Sequence, residues 1–393
     1  MAVLFRLGRL FKRSLFQRPA SPVRQFTQSN FQLLDPNDKF EEETLPSYTP
    51  ESTYSVKIGE VFQSRYQVIG KLGYGGYSTV WLCRDLTQHK YVTLKVFKRD
   101  SAEGKREVEA YAHLNACSAS SSASHNGAMF VRTALDSFQI DAQGLGASQG
   151  LYQCIVHHPL GISLYELRNR FAAEILPEKL VKLTLWHLLL AVDYLHTEAG
   201  IVHTDIQEKN VILGIEDPSI LADFEEAEKS NPSPRKIVED RLALGQPITP
   251  VKYNHIYRAP EVLLRMSWDQ KVDIWNLGVV TWDLFQRGHL FYARDSQKQD
   301  SDANHIAEMI ALLGPPPRDL LQNSDYATDF FDSEGNWKGA VPIPSRSFEQ
   351  LEGNLEGEQQ ELFLAFMRKM VRWRPEERSS AKDLLSDQWL RSP

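Results

Sequence analysis

The chain has 393 residues, of which 42% are hydrophobic and 24% charged, enough apolar material for a core larger than one small domain. Its net charge of −7 is unevenly spread: Arg6, Arg9, Lys12, Arg13, Arg18 and Arg24 stand among residues 1–34 without an acid, which leaves −13 on the rest. An acidic body, common enough among soluble proteins, argues against nucleic acid as a partner and for a basic one. Cys83, Cys117 and Cys154 are odd in number and far apart, so they suit neither a disulfide framework nor a zinc site. The longest apolar stretch, 183–196, contains His187 and Asp193 and is too short to span a bilayer.

The leader alternates Leu4, Phe5, Leu7, Leu10, Phe11, Leu15 and Phe16 with Arg and Lys, and its first acid is Asp35. This is the pattern of a mitochondrial presequence, with a disordered basic tail as the alternative, and it sets residues 1–45 apart from the fold. Strand-like runs follow at 65–69, 80–83 and 91–97, then a helix at 102–115. Ala116–Ser124 is a low-complexity Ser/Ala loop, and Asp141–Gly150 joins two further strands, 129–140 and 151–156. Residues 54–160 thus form a small antiparallel β unit with one helix. From Gly161 to 391 the chain becomes helical: Val181, Leu185, Leu188, Val192 and Leu195 share one face, and amphipathic segments occupy 269–286, 303–313 and 358–373. Gly314-Pro315-Pro316-Pro317 reads as a helix stop, and the adjacent His157 and His158 face opposite ways on a strand rather than sharing a metal.

Gly73-Tyr74-Gly75-Gly76-Tyr77-Ser78-Thr79-Val80 lies between two strands, where glycines let backbone N–H groups approach a triphosphate. A dinucleotide fold would continue into a helix; here a strand follows, carrying Lys95 among apolar neighbours. An ammonium group there needs an anion. Glu107 in the next helix is the natural fixed partner, because Glu109 falls away from the stripe of Val108, Tyr111 and Leu114.

The stretch Ile201-Val202-His203-Thr204-Asp205-Ile206-Gln207-Glu208-Lys209-Asn210 is followed, thirteen residues on, by Asp223-Phe224-Glu225. Tyr257-Arg258-Ala259-Pro260-Glu261, Asp273-Ile274-Trp275-Asn276-Leu277-Gly278 and Arg378 come later. Phosphoryl transfer needs a carboxylate beside the attacking hydroxyl and oxygen ligands for Mg²⁺. An Asp, an Asn five residues later and a second Asp supply that set. This series resembles the eukaryotic-type protein kinase family over roughly residues 60–391. His-Thr-Asp-Ile, Leu135–Phe138, Cys154–Gly161 and His305–Gly314 look like the SR-protein kinase branch, and most like its fungal SR-kinase-like proteins.

The resemblance implies an α+β, two-lobed protein kinase-like fold: a small antiparallel β lobe at 54–160 and a large, mainly helical lobe at 161–391. It implies a serine/threonine kinase using ATP and Mg²⁺, a monomer acting on a basic or Arg/Ser-rich protein substrate, in cytoplasm or nucleus where the leader suggests the mitochondrion. By position, Asp205 would orient the substrate hydroxyl, Lys95 would hold the α- and β-phosphates, and Glu107 would anchor Lys95. Leu72, Gly73, Gly75, Gly76, Ser78 and Val80 would cover the nucleotide, with His158 and Leu160 in the hinge. Asn210 and Asp223 would hold the metal. Asp273 would brace the catalytic loop, and Glu261 would pair with Arg378.

Two departures bear on catalysis. Gln207 stands where these kinases carry a lysine that steadies the transferring phosphoryl group; Thr204 replaces an arginine that senses a phosphorylated activation loop, a change the SR-kinase branch tolerates. Glu225 replaces the glycine expected after Asp223-Phe224. The fungal proteins also carry a regular Asp-Phe-Gly beyond a segment like Asn231–Lys236, whereas this chain runs from Arg241 to Tyr257 without one. Asp223 is therefore taken as the metal ligand on its spacing from Asn210; the alternative is a pseudokinase of the same fold.

Overall fold

A computed structural model describes residues 3–5, 19–26, 31–46, 48–120, 125–141, 150–238, 241–244 and 255–392. It begins with a short strand, β1 (Val3–Phe5). The small lobe is a six-stranded antiparallel sheet of β2 (Val61–Phe62), β3 (Tyr66–Tyr74), β4 (Ser78–Asp85), β5 (Lys90–Arg99), β6 (Ala134–Asp141) and β7 (Leu151–His157), in the order β2-β3-β4-β5-β7-β6. Alternation sorts its faces. Val68, Trp81, Cys83, Val92, Leu94, Val96, Cys154 and Val156 pack one face with Val56, Ile58 and Phe62, leaving Lys95 and its row on the other. Helix α1 (Ala102–Ser120) crosses that second face and runs several residues beyond the expected 102–115. Its Ala/Ser end reads as loop by composition, yet alanine is the strongest helix former.

The large lobe opens with β8 (Leu160–Ser163), α2 (Leu164–Arg168), capped reciprocally by Ser163 and Glu166, and α3 (Glu178–Thr197). The loop 198–210 leads into β9 (Val211–Gly214), which pairs antiparallel with β8 and parallel with β1. An unexpected helix follows, α4 (Ser219–Ser230), and then a hairpin, β10 (Arg235–Val238) and β11 (Arg241–Leu244). Short α5 (Pro260–Leu263) precedes α6 (Lys271–Phe285), every residue of which from Val272 onward is buried. The chain closes around α6 with α7 (Asp302–Leu313), α8 (Arg318–Leu321), α9 (Phe348–Leu351) and α10 (Gly357–Met370). Trp282 lies against Phe348 and Phe363, and Trp275 stacks on Phe291. A helix buried on all sides is the core of its lobe, and it fixes what hangs from its N-terminus.

The described part of the leader does not stand apart from the body. Arg24 exchanges backbone hydrogen bonds with the Gln67 side chain, at 2.9 and 2.6 Å. Leu33 bridges Arg235, and Lys71 pairs with Glu41 and Glu42. Among the described residues no helix is long and apolar enough to cross a membrane.

Candidate active site

Lys95 sits mid-strand on β5, paired in register with Val80 of β4 and Ile155 of β7. Its Nζ donates to both oxygens of Glu107 on α1, at 2.8 and 2.7 Å, while Glu109 is exposed. The ammonium group thus has the fixed anion its apolar strand requires. The glycine loop is the turn between β3 and β4, closed by Gly75 N–H to Ser78 C=O at 2.8 Å. A Cβ at Gly73 or Gly76 would meet nothing within 4 Å. The fold itself does not need glycine there, and the backbone is left open to approach. Leu72 is exposed, Ser78 and Val80 half-buried, and His158 and Leu160 lie half-buried where β7 passes into β8. His157 is fully buried, its Nδ1 at 3.1 Å from Thr133 C=O, and desolvation holds its imidazole well below the usual range.

The catalytic loop hangs from α6. Asp273 has no exposed surface, and its carboxylate accepts from His203 N–H at 2.8 Å and Thr204 N–H at 2.7 Å. His196 Nε2 lies 2.8 Å from it as well. These bonds hold Thr204 at a φ of +66°, strained for a β-branched residue. Beyond it, Asp205 accepts from Gln207 Nε2 at 2.6 Å on one oxygen and from Asn210 Nδ2 at 2.7 Å on the other. Burial pushes the Asp205 carboxyl above the usual aspartate range, and the two amide hydrogen bonds pull the other way. Asp205, Gln207 and Asn210 are therefore one unit. Gln207 occupies the lysine's place as a neutral donor.

Asp223 is not part of it. Instead of a loop, Asp223-Phe224-Glu225 forms a turn of α4, with Asp223 exposed and unpaired among the described residues. The Phe224 ring lies under Gly70, and the buried Glu225 binds Arg24, Arg84 and Tyr91. Arg84 is four residues along β4 from Val80, the partner of Lys95, or about 13 Å at the usual strand rise. Helix geometry takes Asp223 away from the metal-ligand place its spacing suggests: neighbours in sequence point to different faces, so seating Phe224 and Glu225 on the sheet turns Asp223 outward. The amide N–H groups of Asn210 serve Asp205, so its Oδ1 is the atom that could face a cation. Among the described residues no group of three His, Cys, Asp or Glu side chains gathers as a metal site. The donors in place fit Mg²⁺ only in part. Residues 245–254, within the 241–257 segment that has no Asp-Phe-Gly, lie outside the described residues.

Glu261 receives both terminal nitrogens of Arg378 at 2.7 Å, each side chain almost fully buried. Two neighbours escaped the sequence reading. His196 gives no local signal except its place at the end of an apolar helix. Glu208, bonded by Arg168 Nε at 3.0 Å, lies beside a small pocket lined by Tyr165, Lys209, Tyr257 and His289.

Residues 66–390 match the protein kinase domain family. The chain belongs to the protein kinase family. It is 41% identical over 417 aligned positions, 99% of each chain, to a serine/threonine protein kinase of Aspergillus fumigatus. It is 28% identical to the serine/threonine-protein kinase SRPK of Physarum polycephalum, covering 91% of this chain and 93% of that one. With mouse SRSF protein kinase 3 the identity is 34%, over 51% of this kinase and 34% of the mouse protein. Members of the family generally use ATP and Mg²⁺ and act on proteins, and the kinase has the two lobes that the resemblance implies.

Proposed function

We propose that this kinase transfers the γ-phosphoryl group of ATP, with Mg²⁺, to serine or threonine hydroxyls of a basic, Arg/Ser-rich protein. The observation that carries the reading is the Asp205 carboxylate, gripped by Gln207 and Asn210 on a loop pinned to α6, in a chain whose Lys95 is already paired to Glu107. Asp205 orients the attacking hydroxyl and takes its proton. Lys95 neutralises phosphate charge, and Glu107 keeps it aimed. Gln207 offers the transferring group a hydrogen bond without a charge, which costs on the order of 10²-fold in rate relative to a charged donor. The bound cation would neutralise the phosphates, with Asn210 as its ligand from this chain. The acidic body of the kinase and the SRPK relative support the basic substrate class.

The test is phosphate incorporation from Mg-ATP into an Arg/Ser-rich peptide, with phosphoamino-acid analysis. Wild type labels serine and Asp205→Ala does not; equal background in both ends the enzyme reading. The outward place of Asp223 favours one second reading, a kinase fold that binds nucleotide without turnover. Nucleotide binding together with that equal background would establish it. For location, the basic leader supports the mitochondrion and the resemblance the cytoplasm or nucleus; a fluorescent fusion with and without residues 1–34 decides.

A further inference from the structure

The cleft face of the sheet is laid out in rows. Val80 and Lys95 share one; Gly70, Leu82, Thr93 and His157 the next; Gln67, Arg84 and Tyr91 the third. In a kinase the first two rows form the ceiling over a nucleotide. Here the third row is capped by two elements from distant parts of the chain. Arg24 pairs its backbone with Gln67 and sends Nη1 to Glu225 at 2.7 Å. Glu225 also accepts from Tyr91 Oη at 2.7 Å and Arg84 Nη1 at 3.5 Å, with Lys229 Nζ at 3.5 Å. Burial alone would push this carboxyl up, but Tyr91 and the three cations outweigh it and hold it below its usual range.

The same helix reaches the second row. A Cβ at Gly70 would come within 2.8 Å of Phe224 Cε1, so any larger residue there would push the half-buried ring from its place against β3. Behind it, Glu228 holds Ser233 and Arg235 of the β10 approach, and Lys236 pairs with Glu43 at 2.8 Å. Glu41 and Glu42 then grip Lys71 of β3. The strand that leads into the glycine loop is thus clamped by an α4 and N-terminal strap.

We propose that residues 19–26 and α4 are an added wall of the nucleotide site, in which Phe224 and the Glu225 cluster position the ceiling carrying Lys95 and tighten nucleotide binding without entering phosphoryl transfer. The inference rests on the kinase reading for what occupies the cleft. It also gives Glu225 a task incompatible with glycine, and makes the leader a removable part of the wall. Arg24 is the probe of choice, since its side chain is 42% exposed and its loss empties no core.

The experiment is calorimetric titration of the full chain with the Mg²⁺ complex of a non-hydrolysable ATP analogue, for wild type, Arg24→Ala, Glu225→Gln and Arg24→Ala/Glu225→Gln, beside KM for ATP, kcat and Tm. Each single variant is expected to raise Kd and KM about 3- to 10-fold with kcat within twofold. The double variant should do little more than the worse single one, because both break one cluster. Unchanged Kd in Arg24→Ala and Glu225→Gln, with Tm lowered or not, overturns the inference alone. A wild type that binds no nucleotide overturns it together with the kinase reading.

Discussion

Replacing Asp273 by asparagine tests whether α6 really carries the catalytic loop. The residue is fully buried, and its carboxylate serves His203 N–H, Thr204 N–H and His196. Asparagine has the same volume but a single oxygen, which can face only one of the two backbone N–H groups. Its NH₂ then confronts the other. One buried backbone donor left without a partner costs about 1–3 kcal/mol. The remaining bonds fall from charge-assisted to neutral, about 1 kcal/mol more in total. The sum, about 3 kcal/mol, is a large share of the 5–15 kcal/mol typical of a folded domain. Freed from its anchor, Thr204 can leave its strained φ and carry Asp205 with it; a displacement near 1 Å costs on the order of 10²-fold in rate. Denaturant unfolding at constant m-value measures the first quantity and peptide phosphorylation the second. A loss below 1 kcal/mol with wild-type turnover would refute the bracing role.

Glu261→Gln leaves the buried guanidinium of Arg378 without its anion and should cost about 3–5 kcal/mol, read from the melting temperature; a change within 1 kcal/mol contradicts it. Gln207→Lys puts a charge within reach of Asp205 and the transferring group, so kcat should rise about 10-fold or more; an unchanged kcat would mean Gln207 does not face the reaction. Burial, opposed by Arg168 and helped by Asp283, pushes the Glu208 carboxyl up to about 7. The folded chain then keeps a proton that the unfolded one has released. Stability relative to Glu208→Gln should therefore fall by about 3 kcal/mol between pH 4.5 and 7 and level off above; a gap independent of pH would exclude the shift.

The parts of the site legible in sequence were those set by local rules. Lys95 stands out as an ammonium group inside an apolar strand, and Glu107 follows from the helical stripe of α1. Asp205 and Asn210 keep a fixed spacing within one short loop, and Asp273 and Glu261 open helices. What stayed illegible depends on partners far away. In α4, Leu221, Phe224, Glu225 and Glu228 repeat at helical spacing, but two of these are acids, so the face reads as solvated. It is buried only because Arg24, Arg84, Tyr91 and Arg235 arrive from elsewhere. The described part of the leader hides for the same reason: Arg24 docks on Gln67 and Glu225, and Glu41 and Glu42 on Lys71, polar contacts that leave little apolar pattern to read. Asp223 shows the limit of spacing alone, since thirteen residues from Asn210 can be spanned by a loop or by a helix.

The measurement that bears most directly on this account is the initial rate of phosphate transfer from Mg-ATP by wild type, Asp205→Ala and Asp223→Ala in parallel. Transfer that vanishes in Asp205→Ala and persists at the wild-type rate in Asp223→Ala is the expected result. Full activity in Asp205→Ala would contradict the site built around that carboxylate, and silence in Asp223→Ala would contradict the outward place of α4's aspartate.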